Sequence, residues 1–216
     1  MTKLSFYFEY SSPYSAIAAI RLKDLYHSGQ LSHVELDLKP ILLGIIFKQN
    51  GYKGDSTNGV KSKAKYFALD FTRSSVKQLG YPLTFPKKFP LNSSLAALLT
   101  LYLINSQPSS REAVGKLLNF IAYVFIAGFQ KHDDISKVNV LKQCLSQSFP
   151  ELDADKVLSL ASNNELKEQL RKITEEAIEA DIFGAPFFIV KNQLYWGQDR
   201  LDEALQLCEH NQKAKL

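Results

Sequence analysis

Ser12 is the residue of this chain best placed to do chemistry. It follows an alternating apolar segment, Leu4, Phe6 and Phe8, and precedes Pro13, a residue suited to the first position of a helix. A serine at that point is a candidate N-cap. Its hydroxyl then stands beside free backbone N–H groups and the positive end of the helix dipole, a setting that favours a bound anion. The same residues also make an ordinary Ser-Pro helix cap, and locally both readings stay open. Near the other end, Phe183-Gly184-Ala185-Pro186 reads as a glycine-capped helix end followed by a proline-led strand. Trp196-Gly197-Gln198-Asp199-Arg200 then leads into a closing helix, with Asp199 a candidate cap and Trp196 a core or wall residue.

Other chemistries find little support. Cys144 and Cys208 are the only cysteines, they lie far apart, and there is no Cys-x-x-Cys, which argues against a dithiol redox motif and a zinc ribbon. Both sit in apolar helical patterns and read as core thiols. His27, His33, His132 and His210 show no ligand spacing, so no metal site is indicated. A net charge of +4 is spread along the chain, with one tight cluster at Lys61, Lys63 and Lys65. Nucleic-acid binding normally shows a stronger stripe and a recognisable module. The cluster reads as a solvated face or as a local site for an anionic small molecule.

The elements that must position Ser12 follow from periodicity. Leu4–Glu9 alternates as a strand, Pro13 opens a helix carrying Ile17, Ile20 and Leu25, and His33–Leu38 alternates again with Val34, Leu36 and Leu38 on one side. These make a βαβ unit with a right-handed crossover. A polar, glycine-containing loop runs from Gln49 to Asn58. Helices are then expected over Leu95–Ile104, Arg111–Phe129, Val138–Phe149 and Glu165–Ile182, between prolines at 82, 86, 90, 108 and 150. Phe187–Val190 and Leu194–Trp196 read as a hairpin, followed by a helix with Leu201, Ala204, Leu205 and Cys208 on one face. The order βαβ, helical block, ββα is an α/β class chain: a thioredoxin-like fold, residues 1–40 and 183–216, with an inserted all-helical domain, residues 41–182.

The 216 residues, 45% of them hydrophobic and including 14 Phe and 10 Tyr, can bury a full aromatic-rich core. No apolar run reaches the ~20 residues of a membrane span, and the longest, around Phe120–Phe129, reads as a core helix. With no signal peptide at the N-terminus, a cytoplasmic location is expected. The C-terminal Ala214-Lys215-Leu216 resembles a peroxisomal address, the minority reading.

Taken over its full length, the chain resembles the kappa-class glutathione transferases and the bacterial 2-hydroxychromene-2-carboxylate isomerases, which share the DsbA-type thioredoxin architecture. The matching pieces are Phe6-Tyr7 with Ser12-Pro13-Tyr14-Ser15, Leu42-Leu43-Gly44-Ile45-Ile46-Phe47-Lys48, Leu83-Thr84-Phe85-Pro86, Phe183-Gly184-Ala185-Pro186 and Trp196-Gly197-Gln198-Asp199-Arg200. The resemblance implies glutathione as cofactor or co-substrate, its thiolate held by Ser12 where a thioredoxin would carry its attacking cysteine. It implies a cis Pro186 that turns the Ala185 backbone toward the cysteinyl part of the tripeptide. Gln198 and Asp199 are placed at the γ-glutamyl end, and Lys63 at a glutathione carboxylate.

Two departures bear on the substrate. Gly51-Tyr52 stands where the family has Gly-Asn, so that Tyr52, Asn50 or Asn58 would shape that side of the pocket. Glu9 replaces the family's Asp three residues before the serine. The implied activity is a glutathione-dependent isomerase of aromatic catabolism acting on a 2-hydroxychromene-2-carboxylate-like acid. The alternatives are a transferase that conjugates small-molecule electrophiles and a non-catalytic thioredoxin-like binding protein. A homodimer is implied, with no nucleic-acid or membrane partner.

Overall fold

Strand β1 (Thr2–Phe8) lies second in a four-stranded sheet of order β2-β1-β3-β4. In this computed structural model residues 1–52, 57 and 59–209 are described. β1 runs parallel to β2 (Val34–Pro40), with Phe6 opposite Leu38, and antiparallel to β3 (Phe187–Val190), with Phe6 opposite Phe188. β4 (Gln193–Trp196) pairs antiparallel with β3 at the edge. Lys191 and Asn192, both at positive φ, form the two-residue turn of that hairpin, the geometry that matches strand twist. Leu4, Phe6 and Phe8 are fully buried on one face, as their alternation requires. Phe6 stacks between Phe8 and Phe188 at 5.0 and 5.2 Å.

Helix α1 (Pro13–His27) connects β1 to β2. Its buried residues lie all around its axis, which is the pattern of a helix enclosed on several sides. The helical block supplies α2 (Leu43–Gln49), α3 (Lys61–Leu79), α4 (Ser94–Ser106), α5 (Arg111–Phe129), α6 (Val138–Ser148), α7 (Ala154–Ala161) and α8 (Asn164–Glu179). A 3-10 turn at Gln198–Arg200 leads into α9 (Leu201–Glu209). The sequence reading anticipates α4, α5, α6 and α8 to within a few residues and names neither α3 nor α7 separately. α5 is long and apolar enough to cross a bilayer by composition. However, 67% of its most apolar window is buried in the protein, which makes it a core helix.

α5 packs along α1 and fixes its far end. The Arg111 guanidinium lies 4.5 Å above the Tyr26 ring and donates to the Tyr26 carbonyl, while the Tyr26 hydroxyl donates to the Arg111 carbonyl. Gly115 lets the two helices approach, since a Cβ there would meet the His27 ring at 3.2 Å. Further along α5, Phe125 sits 4.8 Å from the Tyr10 ring and 6.4 Å from Phe8. One apolar core therefore runs from the sheet into the helices.

Phe125→Ala removes the ring that joins the two sets of elements. It should lower stability by about 3–5 kcal/mol in a single urea transition seen by both tryptophan fluorescence and helical circular dichroism. Two separated transitions would show that sheet and helices are held independently.

Candidate active site

The first turn of α1 opens into a cavity of about 1240 Å³ that is walled by both ends of the chain and by the helical block. Ser12 is the N-cap that the sequence suggests. Its backbone is extended (φ −85°, ψ 114°), and its Oγ accepts the Ser15 N–H at 3.2 Å. The same hydroxyl donates to the Ala185 carbonyl at 2.8 Å, so the two motifs at opposite ends of the sequence touch. The Ala185-Pro186 peptide is cis, as the resemblance implies, and so is Phe89-Pro90, which also lines the cavity. No acidic residue stands in the first turn of α1, which leaves the positive end of its dipole uncompensated by a side chain of its own.

The other wall is built by close approach. The Pro186 carbonyl accepts the Gly197 N–H at 3.0 Å, holding the 197–200 turn against the proline. A Cβ on Gly184 would lie 2.8 Å from Trp196 Nε1, so only glycine lets the indole cover this segment. Trp196 is 56% exposed and stacks edge-on with Phe183 at 4.8 Å, which makes it a wall residue and not a core one. Gln198 is 7% exposed and lines the cavity, and its Oε1 finds no hydrogen-bond partner among the described residues. Asp199 also lines the cavity. No side chain caps the 3-10 turn, so the capping reading of Asp199 is not what the structure shows, while Arg200 pairs with Glu203 at 2.5 Å.

α3 brings Lys63 to the rim and Asp70 deeper, where Asp70 accepts a short hydrogen bond from the Tyr14 hydroxyl. Burial, reinforced by that carboxylate, raises the Tyr14 hydroxyl above its ordinary pKa. Tyr52 lines the cavity and stacks on Phe47 at 5.1 Å. Asn50 does not line it. This residue ends α2 as its C-cap with an exposed side chain, because the chain turns through Gly51 at positive φ just beyond. Asn58 lies outside the described residues. The cysteines are free and buried, and burial pushes both thiols up to about 11, which leaves them protonated and unreactive at neutral pH.

The sequence marks Glu9 as a departure from the family's Asp but does not reveal its burial. This residue lines the cavity, is 5% exposed, and accepts the Ser11 N–H through Oε2 at 2.8 Å. Ser93, the residue before α4, also favours its charged form. Burial pushes the Glu9 carboxyl up to about 7, although Ser93 and the Ser11 hydrogen bond pull the other way.

The whole-chain comparisons agree with this architecture. A model of the DsbA-like thioredoxin domain matches residues 3–208. The chain belongs to the DsbA-like thioredoxin family. Within that family it is 29% identical over 204 residues to a 2-hydroxychromene-2-carboxylate isomerase of Sphingobium xenophagum, covering 94% of this chain and 96% of that protein. Its identity to the Pseudomonas putida protein of the same name is 26% over 214 residues, covering 96% and 97%. A solved 2-hydroxychromene-2-carboxylate isomerase superposes with a TM-score of 0.77 at 25% identity, covering 98% of each chain. This DsbA-like protein therefore has relatives that are isomerases, and they match it along nearly its whole length.

The Glu9 carboxyl gives the DsbA-like fold a pH dependence whose sign is fixed. Its folded pKa, about 7, lies above its ordinary 4.5, so between those values the folded state holds a proton that the unfolded chain has lost. Stability therefore falls as pH rises through that window and is lowest, for this group, above it. Glu9→Gln should remove that slope and raise stability above pH 7 by roughly 3 kcal/mol. Urea midpoints taken from pH 4 to 8 measure it. Parallel curves for the two proteins would contradict the assignment.

Proposed function

We propose that this protein is a glutathione-dependent isomerase acting on a 2-hydroxychromene-2-carboxylate-like aromatic acid. The observation that carries the reading is the Ser12 hydroxyl, placed at the N-terminus of α1 and facing the Ala185 carbonyl across the floor of a cavity of about 1240 Å³. Bound there, glutathione would supply a nucleophilic thiolate for reversible addition to a conjugated carbon of the substrate.

The residues present fit the tripeptide. Ser12 Oγ accepts the Ser15 N–H, which polarises its own O–H toward donation. Turned from Ala185 to a sulfur, that O–H stabilises the anion together with the uncompensated helix end. The Ala185 carbonyl is then released to accept an amide N–H of the peptide. Gln198 Oε1, buried and unpartnered among the described residues, is an acceptor suited to the γ-glutamyl ammonium, with Asp199 adding charge beside it. Lys63 stands at the rim, where a carboxylate would lie.

The cavity extends past these groups toward Phe67, Phe89 and Tyr52. Their ring faces suit a flat aromatic substrate.

The test is conversion of 2-hydroxychromene-2-carboxylate with and without glutathione. Wild type should turn it over only with glutathione. Ser12→Ala, losing one hydrogen bond to a charged group, should be slower by roughly 10- to 100-fold with glutathione affinity less affected. Conversion that needs no glutathione would contradict the proposal. A stable glutathione adduct as product would make the protein a transferase, and retention on glutathione resin without turnover would make it a binding protein.

A further inference from the structure

A thiol held as thiolate at Ser12 must give its proton to something, and an alcohol cannot keep it. We propose that the Glu9 carboxylate is the acceptor of that proton. This rests on the glutathione reading above. The S–H bond breaks with its electron pair left on sulfur, and an O–H bond forms on the Glu9 carboxyl. No other reactant is required.

The geometry singles out Glu9 among the titratable groups around the cavity. Among the described residues no histidine lines it. From α1, Tyr14 already donates its hydrogen to Asp70 of α3, and that carboxylate is committed to receiving it. Lys63 and Lys77, also on α3, are exposed cations at the rim. Asp199 and Arg200 sit on the 3-10 turn packed beside α1, but both side chains are exposed, and Arg200 is tied to Glu203.

Glu9 stands three residues before Ser12, in the same turn, and the Ser12 N–H donates to the Glu9 carbonyl at 2.9 Å. Its carboxyl is buried and held by the Ser11 N–H, and it forms no ion pair among the described residues. A buried carboxyl without a cation takes up a proton readily. Its pKa of about 7 lies in the range where a stabilised thiol ionises. A thiolate arriving nearby raises that affinity further, since two adjacent negative charges disfavour each other, and the protonated carboxyl in turn removes a repulsion from the thiolate.

Counting protons tests this separately from activity. Glutathione is added to the whole protein near pH 7. Thiolate formed is read by ultraviolet absorbance, and protons released are read by calorimetry in buffers of different ionisation enthalpy. Wild type, with Glu9 about half ionised at that pH, should release roughly half a proton for each thiolate formed. In Glu9→Gln the two counts should become equal, and Glu9→Asp should restore part of the shortfall.

Equal counts in wild type overturn the proposal while leaving the glutathione reading intact. The same shortfall in wild type and in Glu9→Gln also overturns it, and assigns the proton to another group such as Asp70. No thiolate in wild type overturns both. The wild-type count stands even if a variant fails to fold.

Discussion

The hydrogen bond from the Ser12 hydroxyl to the Ala185 carbonyl, 173 residues away in the chain, is the contact on which the site depends. It exists because β1 and β3 are direct neighbours in the sheet, so that the turn leaving β1 and the turn entering β3 lie side by side. The hydroxyl must also stay in place. The N-cap bond to Ser15 fixes its near side, and the Tyr26–Arg111 contact anchors the far end of the same helix to α5. These contacts set the direction of its N-terminal N–H groups and dipole. The proposed anion site is therefore a product of the core, although the atoms proposed to bind the ligand belong to a cap and a loop.

A second constraint comes from the helical block. Ser93 ahead of α4 favours the charged form of the Glu9 carboxyl, and the cavity closes between that segment and the turn at Ala185. Burying a carboxyl with hydrogen bonds and no cation destabilises its charged form, and a fold that carries such a group loses stability at neutral pH. In the proposed role the cavity has the opposite use for it, because a group that is half protonated near neutrality can hold a proton beside a forming anion. Stability and chemistry thus pull in different directions at one side chain, as is common where a site is built into a core.

Much of this was legible in the sequence, for identifiable reasons. Leu4, Phe6 and Phe8 at period two and Ser12-Pro13 at a helix start are local signals, and the structure agrees with both. The meeting of Ser12 with Ala185 and the cis Pro186 are not local. They came from the resemblance, which carries topology that spacing cannot. Asn50 shows where proximity in sequence misleads: it is two residues from Tyr52, yet a helix end and a positive-φ glycine turn it out of the cavity while Tyr52 stays in. Glu9 was visible only as a departure from the family's Asp, and Asp70 and Ser93 were invisible as site residues, because each matters through partners contributed by another part of the chain.

The central claim is that Ser12 and the N-terminus of α1 hold glutathione as a thiolate. Thiolate absorbance of the glutathione-saturated protein, followed against pH in wild type and Ser12→Ala, tests it most directly. The account predicts a bound thiol that ionises at least about one unit below the free thiol value of ~8.5, moving back toward that value when the hydroxyl is removed. A bound thiol that ionises as it does in free solution, in both proteins alike, would contradict it.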